Sequence, residues 1–127
     1  MNNFEGRKEN ITAYANRILE PFYLRNYKWN PDKTKTYLDT ANYDFTSSIK
    51  DKDNQEITTF DIEKIVLAET GWIGCSWNLT KATLLLDNVY TYDINRVNKY
   101  DPEDVAVIQY GSIFIIRNVR HHEPPAP

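Results

Sequence analysis

Apolar residues are concentrated most densely in residues 105–119, which read VAVIQYGSIFIIRNV. Valine, isoleucine and phenylalanine dominate this stretch, and these residues pack well on a pleated sheet but lose side-chain freedom in a helix. Prolines stand on both sides of it, at Pro102 and Pro124, where they favour turns or extended chain. We therefore expect the most buried β structure of the protein here. Gly111 divides the stretch, either as a tight turn with Tyr110 or as a glycine bulge.

A different pattern occurs near the N-terminus, where apolar residues recur with the spacing of a helix. The residues of this stripe are Ile11, Tyr14, Ala15, Ile18, Leu19 and Phe22. Asn10 precedes the stripe and is a suitable N-cap, and Pro21 is expected to end or kink the helix. The spacing predicts an amphipathic helix whose stripe faces the core. A groove for a partner is the less favoured use of the same stripe.

Alternation of apolar and polar side chains predicts strands in much of the remaining chain. The predicted strands are residues 34–45, 72–79 and 82–93, and the charged residues 50–56 are expected to form an exposed hairpin tip. Residues 59–70 allow two interpretations. Thr59 could cap a short helix that ends before Gly71, which is the favoured interpretation. A strand with Ile65 and Leu67 facing inward is the alternative.

These elements predict an α+β fold that is mainly β. We expect one antiparallel sheet of about five or six strands, either open or curled into a small barrel or sandwich. The N-terminal amphipathic helix would cross one face, and residues 59–70 would add a short second helix. A chain of 127 residues has the length of one domain. We assign that domain to residues 1–120 and expect the proline-rich residues 121–127 to be a tail.

The net charge, the apolar runs and the cysteine count indicate which partners and which cellular location are expected. The net charge is -3, so overall electrostatics make nucleic acid an unlikely partner and do not favour an anionic membrane surface. No run reaches the roughly 18 apolar residues of a membrane-spanning helix, and the polar N-terminus lacks the apolar segment of a secretory signal. Cys75 is the single cysteine, which excludes an intrachain disulfide. We therefore expect a protein that is cytoplasmic when synthesised, with association with a virion left open.

The frequencies of particular amino acids give information about the base composition of the gene and about the side chains at the protein surface. Asn, Ile, Lys and Tyr, which have AT-rich codons, supply 43 of the 127 residues. This bias is expected for a gene of an AT-rich bacterium, phage or mobile element. Nine tyrosines are more than a core of this size easily hides, so several are expected at the surface, where Tyr is common in interfaces.

The sequence contains no hydrolase, zinc-protease, Walker or dinucleotide motif. Cys75 lacks a well-placed base, because the only histidines, His121 and His122, lie in the tail. Together with Glu123 they are consecutive in sequence and would need further ligands from elsewhere to hold a metal. The loop that begins at Asp51 matches a calcium-binding loop only at its first and third positions and lacks the required Gly and Glu. We therefore expect no catalytic residue, no metal site and no cofactor.

Two groups of residues are candidates for binding. Aromatic and basic residues interleave in the segment FYLRNYKW, a pattern that fits an interaction surface or, with weaker support, a site for single-stranded nucleic acid. A packed connector is the competing interpretation. The candidate interaction residues are Phe22, Tyr23, Arg25, Tyr27, Lys28 and Trp29. The alternative is a ligand pocket inside a curled sheet, formed by Trp72, Trp77, Tyr90, Tyr92 and Tyr110 with Arg96 and Arg117 at the rim.

We expect a non-enzymatic structural, assembly or interaction protein, encoded by a phage or mobile element, that acts as a virion component or a host-inhibiting binder. Its expected partners are proteins, either further copies in a homo-oligomer or other subunits of a larger assembly. The alternative is a module that binds and sequesters a small ligand or nucleotide. An enzyme with an unrecognised site is the third hypothesis, in which Asp87 or Arg96 would be essential.

Overall fold

The computed structural model describes the backbone of residues 2–66 and 69–117, and the side chains of those ranges from residue 6 onward. The part of the chain that the structure describes is 57% strand and 6% helical, so β structure decides the fold class. Its strands are β1 (Asn2–Lys8), β2 (Ile11–Tyr14), β3 (Leu19–Arg25), β4 (Tyr27–Trp29), β5 (Lys35–Tyr37), β6 (Tyr43–Lys50), β7 (Glu56–Thr58), β8 (Asp61–Lys64), β9 (Trp72–Trp77), β10 (Val89–Asn98) and β11 (Val105–Ile116). The helical elements are a 3-10 helix at Thr40–Asn42 and one turn of α-helix, α1, at Leu79–Ala82. Within the described ranges, no helix is long and apolar enough to cross a membrane.

Six strands form a mixed sheet, here called the large sheet. Its order is β1-β11-β10-β6-β7, and β2 also pairs with β11. β1 and β2 run parallel to β11, whereas the other pairs in this sheet are antiparallel. The parallel pairing brings the start of the chain beside the last strand, with Asn2 opposite Val105. Since β11 has partners on both sides, the prediction of a buried strand in this stretch is confirmed over Val105–Ile116.

The remaining strands form a three-stranded antiparallel sheet, β3-β9-β8, here called the small sheet, and the β4–β5 hairpin. Apolar side chains from the large and small sheets pack together in one core. The Phe60 ring joins the two sheets. It stacks on Trp77 of the small sheet at 5.9 Å and meets Tyr92 of the large sheet edge-on at 5.4 Å between ring centroids. Buried aromatic rings of this kind dominate core energetics.

The predicted N-terminal amphipathic helix is wrong. Residues 11–22 form β2, a turn and the first part of β3 instead. The turn contains Asn16 in the left-handed region, with φ at 59°. The apolar residues therefore do not share one face, and Ala13 is buried whereas Tyr14 and Ile18 are exposed. Pairing along β11 satisfies the backbone of β2, and this long-range pairing decides its structure over the helix-like spacing.

The predicted single antiparallel sheet is also wrong, since the described residues form three sheets and the large one is mixed. Residues 59–70 contain strand β8 and not the favoured helix, because β8 pairs along its length with β9. The strand predicted at 34–45 is divided by the 3-10 helix into β5 and the start of β6. Of the strand predicted at 82–93, only the part from Val89 onward is a strand, where β10 begins. The strand predicted at 72–79 is confirmed only over Trp72–Trp77 (β9), because Asn78 caps α1 and Leu79 begins it. The hairpin tip at 50–56 lies between β6 and β7 as predicted.

Gly111 is neither a turn nor a bulge, because β11 continues through it and pairs it with Tyr92. The chain passes from β1 to β2 next to this position. Glu9 donates its N–H to the Tyr110 carbonyl oxygen at 2.9 Å, and its own carbonyl oxygen accepts from the Tyr92 hydroxyl at 2.7 Å. A Cβ at Gly111 would lie 2.0 Å from that Glu9 oxygen. Glycine is therefore required here for the close approach of two backbones.

The irregular position of β11 is Ile108. On the neighbouring strand, Ile94 pairs with Gln109. The next residue, Asn95, pairs with Val107, so Ile108 is the additional residue of a bulge. Even-numbered residues of β11 are buried before the bulge and odd-numbered residues after it. The bulge therefore keeps an apolar face toward the core along the whole strand.

We expect Gly111→Ala to lower the free energy of unfolding by about 2 kcal/mol or more, because the added methyl group cannot avoid the Glu9 carbonyl without a shift of backbone. Urea unfolding followed by circular dichroism measures the loss. Gly74→Ala is the matched control, since its Cβ would lie 3.1 Å from the exposed Tyr23 ring, which can move. A loss below about 1 kcal/mol is expected there. Equal losses in the two variants would contradict the special role of Gly111.

Candidate functional site

A cleft of about 260 Å³ lies where the β4–β5 hairpin meets the large and small sheets. It is lined by three cations (Arg7, Arg25, Lys35), four aromatic rings (Tyr23, Tyr27, Tyr37, Trp72), and Leu24, Ile108 and Gln109. None of these residues is acidic, although the whole chain has a net charge of -3. We call this site the aromatic–cationic cleft.

The junction of β3, β4 and β9 positions the cleft. Asn26 connects β3 to β4, donates its N–H to the Gly71 carbonyl oxygen at 2.7 Å, and accepts at its own carbonyl oxygen from the Leu38 N–H at 2.9 Å. Gly71 has φ at 98°, and a Cβ there would lie 3.0 Å from the Asn26 oxygen and 3.1 Å from the Leu38 oxygen. Only glycine combines this backbone conformation with the close approach of three chain segments.

Strand pairing brings the cations and rings together. Arg25 pairs with Trp72 between β3 and β9, and Tyr27 pairs with Tyr37 in the hairpin. The guanidinium carbon of Arg25 lies 3.5 Å from the centroid of the Tyr37 ring and 5.7 Å from that of Trp72. Lys35 Nζ lies 4.5 Å from the centroid of the Tyr27 ring. Ring faces attract cations at these distances, so the rings hold the positive charges in the cleft wall.

Two exposed acids approach the cations from outside the lining. Arg25 donates from Nε to the Thr70 carbonyl oxygen at 2.7 Å and from Nη1 to Glu69 Oε2 at 3.4 Å. Arg7 Nε lies 3.8 Å from Glu9 Oε1. Both acids are at least half exposed, and ion pairs of this kind contribute little free energy. The arginines can therefore exchange these carboxylates for a bound anion at small cost.

A buried arginine supports the cleft from the large sheet. Arg96 on β10 is only 2% exposed. Its Nη1 donates to the Tyr27 carbonyl oxygen at 2.6 Å and to Asn26 Oδ1 at 3.2 Å. Its guanidinium carbon also lies 5.7 Å from the centroid of the Tyr43 ring. These contacts attach the start of the hairpin to the centre of the large sheet, so the cleft wall is held from both sides.

The structure brings part of the interleaved aromatic and basic segment together. The members that line the cleft are Tyr23, Arg25 and Tyr27. Trp29 lies beside them, with its ring centroid 5.6 Å from that of Tyr27. Phe22 packs against the core instead. Lys28 is exposed, and the alternation of strand β4 places it on the face opposite Tyr27, away from the cleft.

The seven residues of the alternative pocket do not converge. Trp77, Tyr90 and Tyr92 are buried in the core. Trp72 lines the cleft and Arg96 lies buried behind it. Tyr110 lines a separate hollow on the large sheet, to which Tyr92 also contributes. Arg117 bonds to the loop before β10, where Asp87 is exposed. The residues expected in one pocket thus lie in four parts of the protein.

Among the charged, polar and aromatic members of the cleft, there are four that the residue pattern does not single out. Lys35 and Tyr37 belong to a hairpin whose two short strands flank the turn NPDK. Pairing of these strands would have placed Tyr37 opposite Tyr27, so a local signal exists for the hairpin. Arg7 and Gln109 have no local signal. They are brought together by the parallel pairing of β1 with β11.

Other candidates for chemistry lie outside the cleft. Cys75 is fully buried, and burial raises the pKa of its thiol to about 12. A protonated, inaccessible thiol is a poor nucleophile. Among the residues that the structure describes, no group of three or more His, Cys, Asp and Glu side chains could hold a metal ion. His121, His122 and Glu123 lie outside the described residues.

No protein-family model matches the chain, and no curated protein matches it in sequence. Cations, ring faces and an amide side chain in one concave surface are features of a binding site.

We expect Cys75 to resist thiol-reactive reagents in the native protein and to react once urea unfolds the chain, because the buried thiol is protonated. The raised pKa also links stability to pH. Above the ordinary thiol value of 9.0 the unfolded chain loses this proton while the folded chain keeps it, so the contribution of Cys75 to stability falls as pH rises from 9 toward 12.

Labelling kinetics and urea unfolding at pH values on both sides of 9.0 measure these effects. Cys75→Ala is the control, because the thiol part of the pH dependence is missing in that variant. Rapid labelling of the native wild-type protein, or the same alkaline loss of stability in Cys75→Ala, would contradict the assignment.

Proposed function

We propose that the protein is a non-enzymatic binding protein whose aromatic–cationic cleft takes a small ligand with a planar ring and a negative charge, as in a nucleotide. The composition of the cleft carries this proposal: three cations and four rings, with no acidic residue, in a chain of net charge -3. Cations attract an anionic group, and ring faces stack on a planar one. Both kinds of contact are available in one concave surface.

The wall of the cleft offers distinct groups to the anionic part of such a ligand. The planar guanidinium of Arg25 suits a phosphate through two parallel hydrogen bonds, and Lys35 supplies a compact charge. Trp72 also has a buried indole N–H for which the described residues provide no acceptor. A ligand oxygen that reached this donor would relieve a cost of about 1–3 kcal/mol.

The volume of the cleft favours a small ligand, because about 260 Å³ is below the roughly 300–1,000 Å³ of most drug-binding pockets. A neighbouring hollow of about 380 Å³ shares Arg7, Tyr23 and Gln109 with the cleft and extends it. This extension also contains Glu9 and Glu20, which repel negative charge. The anionic group of the ligand is therefore expected in the cleft and its uncharged part toward the extension.

The biological setting belongs to the same proposal. The AT-rich residue usage supports a gene of a phage or mobile element. A binder that sequesters a nucleotide-like ligand of the host would act in the cytoplasm where it is synthesised. Incorporation into a virion is the competing setting. Mass spectrometry of purified particles and of infected-cell lysate would separate the two.

We expect a fluorescent N-methylanthraniloyl derivative of ATP to bind the wild-type protein, and Lys35→Gln to weaken that binding about tenfold or more. The substitution removes a charge-assisted contact worth about 1.5–3 kcal/mol. A fluorescence titration at fixed ionic strength measures both affinities. Competition by adenosine and by inorganic phosphate tests the ring and anion contacts separately.

Lys28→Gln is the matched control, because it removes the same charge from the same hairpin but on the face away from the cleft. Its affinity is expected to stay within about twofold of the wild-type value, in line with the small effect of remote exposed charges. Equal weakening by both substitutions would indicate unspecific attraction and contradict the site. Failure of the wild-type protein to bind the nucleotide would contradict the proposed ligand class.

A further inference from the structure

Gln109, which lines the aromatic–cationic cleft, is a buried amide whose orientation is fixed by its neighbours. It is only 3% exposed, yet it lines both the cleft and the neighbouring hollow that extends it. The Tyr92 hydroxyl lies 2.7 Å from the Glu9 carbonyl oxygen, which can only accept, so Tyr92 donates its one proton there. The Tyr92 oxygen then accepts from Gln109 Nε2 at 3.1 Å. The amide nitrogen of Gln109 therefore points to Tyr92, and the amide oxygen points away from it.

The amide oxygen of Gln109 is held only weakly by its donor, Arg7. Arg7 Nε donates to Gln109 Oε1 at 3.5 Å, which is longer than the roughly 2.7–3.2 Å of a well-formed bond. The same nitrogen lies 3.8 Å from Glu9 Oε1, and the Arg7 side chain is 61% exposed. Within the described ranges, no other residue donates to Gln109 Oε1. Two acceptor oxygens therefore lie around one loosely held N–H group.

Anion binding at Arg7 changes what Gln109 needs. In the proposed function, on which this inference rests, Arg7 is one of the cations available to the anionic group of the ligand. If Arg7 turns to that group, Glu9 is half exposed and can turn to water, but the buried Gln109 oxygen is left without a donor. Rotation of the amide does not help, because its oxygen would then face the oxygen of Tyr92. A ligand that supplies no donor here is expected to bind about fivefold or more weakly than one that does.

We propose that the ring of the ligand has an exocyclic amino group, which replaces Arg7 Nε as the donor to Gln109 Oε1. An amino nitrogen has two N–H groups, so at this position it can donate to Gln109 and to the Glu9 carboxylate together. A ring oxo group would bring a third acceptor against these two acceptors. Since the Gln109 amide is recessed, the donor has to project from the ring to reach it.

The position of Gln109 agrees with the expected placement of the ring. The anionic group belongs with the cations of the cleft, and the uncharged part of the ligand lies toward the extension, where Glu9 and Glu20 favour N–H donors. Gln109 is shared by the cleft and the extension, so it lies at the boundary that the ring crosses. The ligand class is thereby narrowed to nucleotides with an amino-substituted base, such as adenine, guanine or cytosine. Uracil and hypoxanthine lack the required group.

Displacement of the fluorescent ATP derivative by two unlabelled competitors tests this proposal. The competitors are ATP and purine riboside triphosphate, in which a hydrogen atom replaces the 6-amino group. We expect the wild-type protein to bind ATP about fivefold or more tightly than purine riboside triphosphate. This comparison needs no variant, so equal affinities for the two competitors would by themselves overturn the proposal.

Gln109→Met removes the acceptor and keeps an unbranched side chain of similar length. The ratio of the two dissociation constants should fall to about twofold or less, through weaker binding of ATP alone. A merely structural role of Gln109 would instead weaken both competitors alike and preserve the ratio, which would overturn the proposal. Circular dichroism checks that the variant is folded.

Gln55→Met is the matched control, because it makes the same change at an exposed amide in the tip between β6 and β7. Both affinities should stay at their wild-type values, and an equal loss of the ratio in this variant would contradict the role of Gln109. If the fluorescent derivative binds but the ratio is one, only this inference fails. If the derivative does not bind at all, the proposed function fails and this inference fails with it.

Discussion

The buried Arg96 guanidinium is the interaction on which the arrangement of this protein depends. A charge removed from water costs several kcal/mol unless fixed polar groups replace its hydration. Arg96 finds oxygen acceptors at Asn26 and Tyr27 and the ring of Tyr43 nearby. Asn26 and Tyr27 stand at the junction of β3 and β4. The hydrogen bonds that they accept from Arg96 therefore attach the hairpin to the large sheet. Loss of either the arginine or its acceptors would leave a buried polar group without compensation.

The aromatic–cationic cleft follows from that attachment. The backbone of Asn26 is also bonded to Gly71 and Leu38, so one residue connects the hairpin, the small sheet and the large sheet. The cations then sit on ring faces in a wall that is already assembled. Preassembled walls lose little entropy when a ligand binds, which is consistent with the small ligand proposed for this cleft.

Strand β11 contributes to both the cleft and the core. Its first half contributes Ile108 and Gln109 to the cleft, and its second half contributes Ile113 and Ile115 to the core. The bulge at Ile108 makes this division possible, because it reverses the side to which the following residues point. Without it, Ile113 and Ile115 would face solvent and the core would lose them.

The sequence by itself determined the elements whose signal is local: the apolar strand β11, the alternating strand β9 and the charged tip between β6 and β7. In these segments, residue preference and side-chain period agree with the final structure. It also indicated Tyr23, Arg25 and Tyr27 as surface residues for binding. Only the tertiary structure decided that residues 11–22 form β2 and the start of β3. Their partners, β11 and β9, lie far along the chain, and backbone pairing outweighs apolar spacing. The same long-range pairing placed Arg7 beside Gln109, buried Arg96 and separated Trp77 and Tyr92 from the cleft. Which charges and rings meet is a property of strand order and register, and no local pattern encodes it.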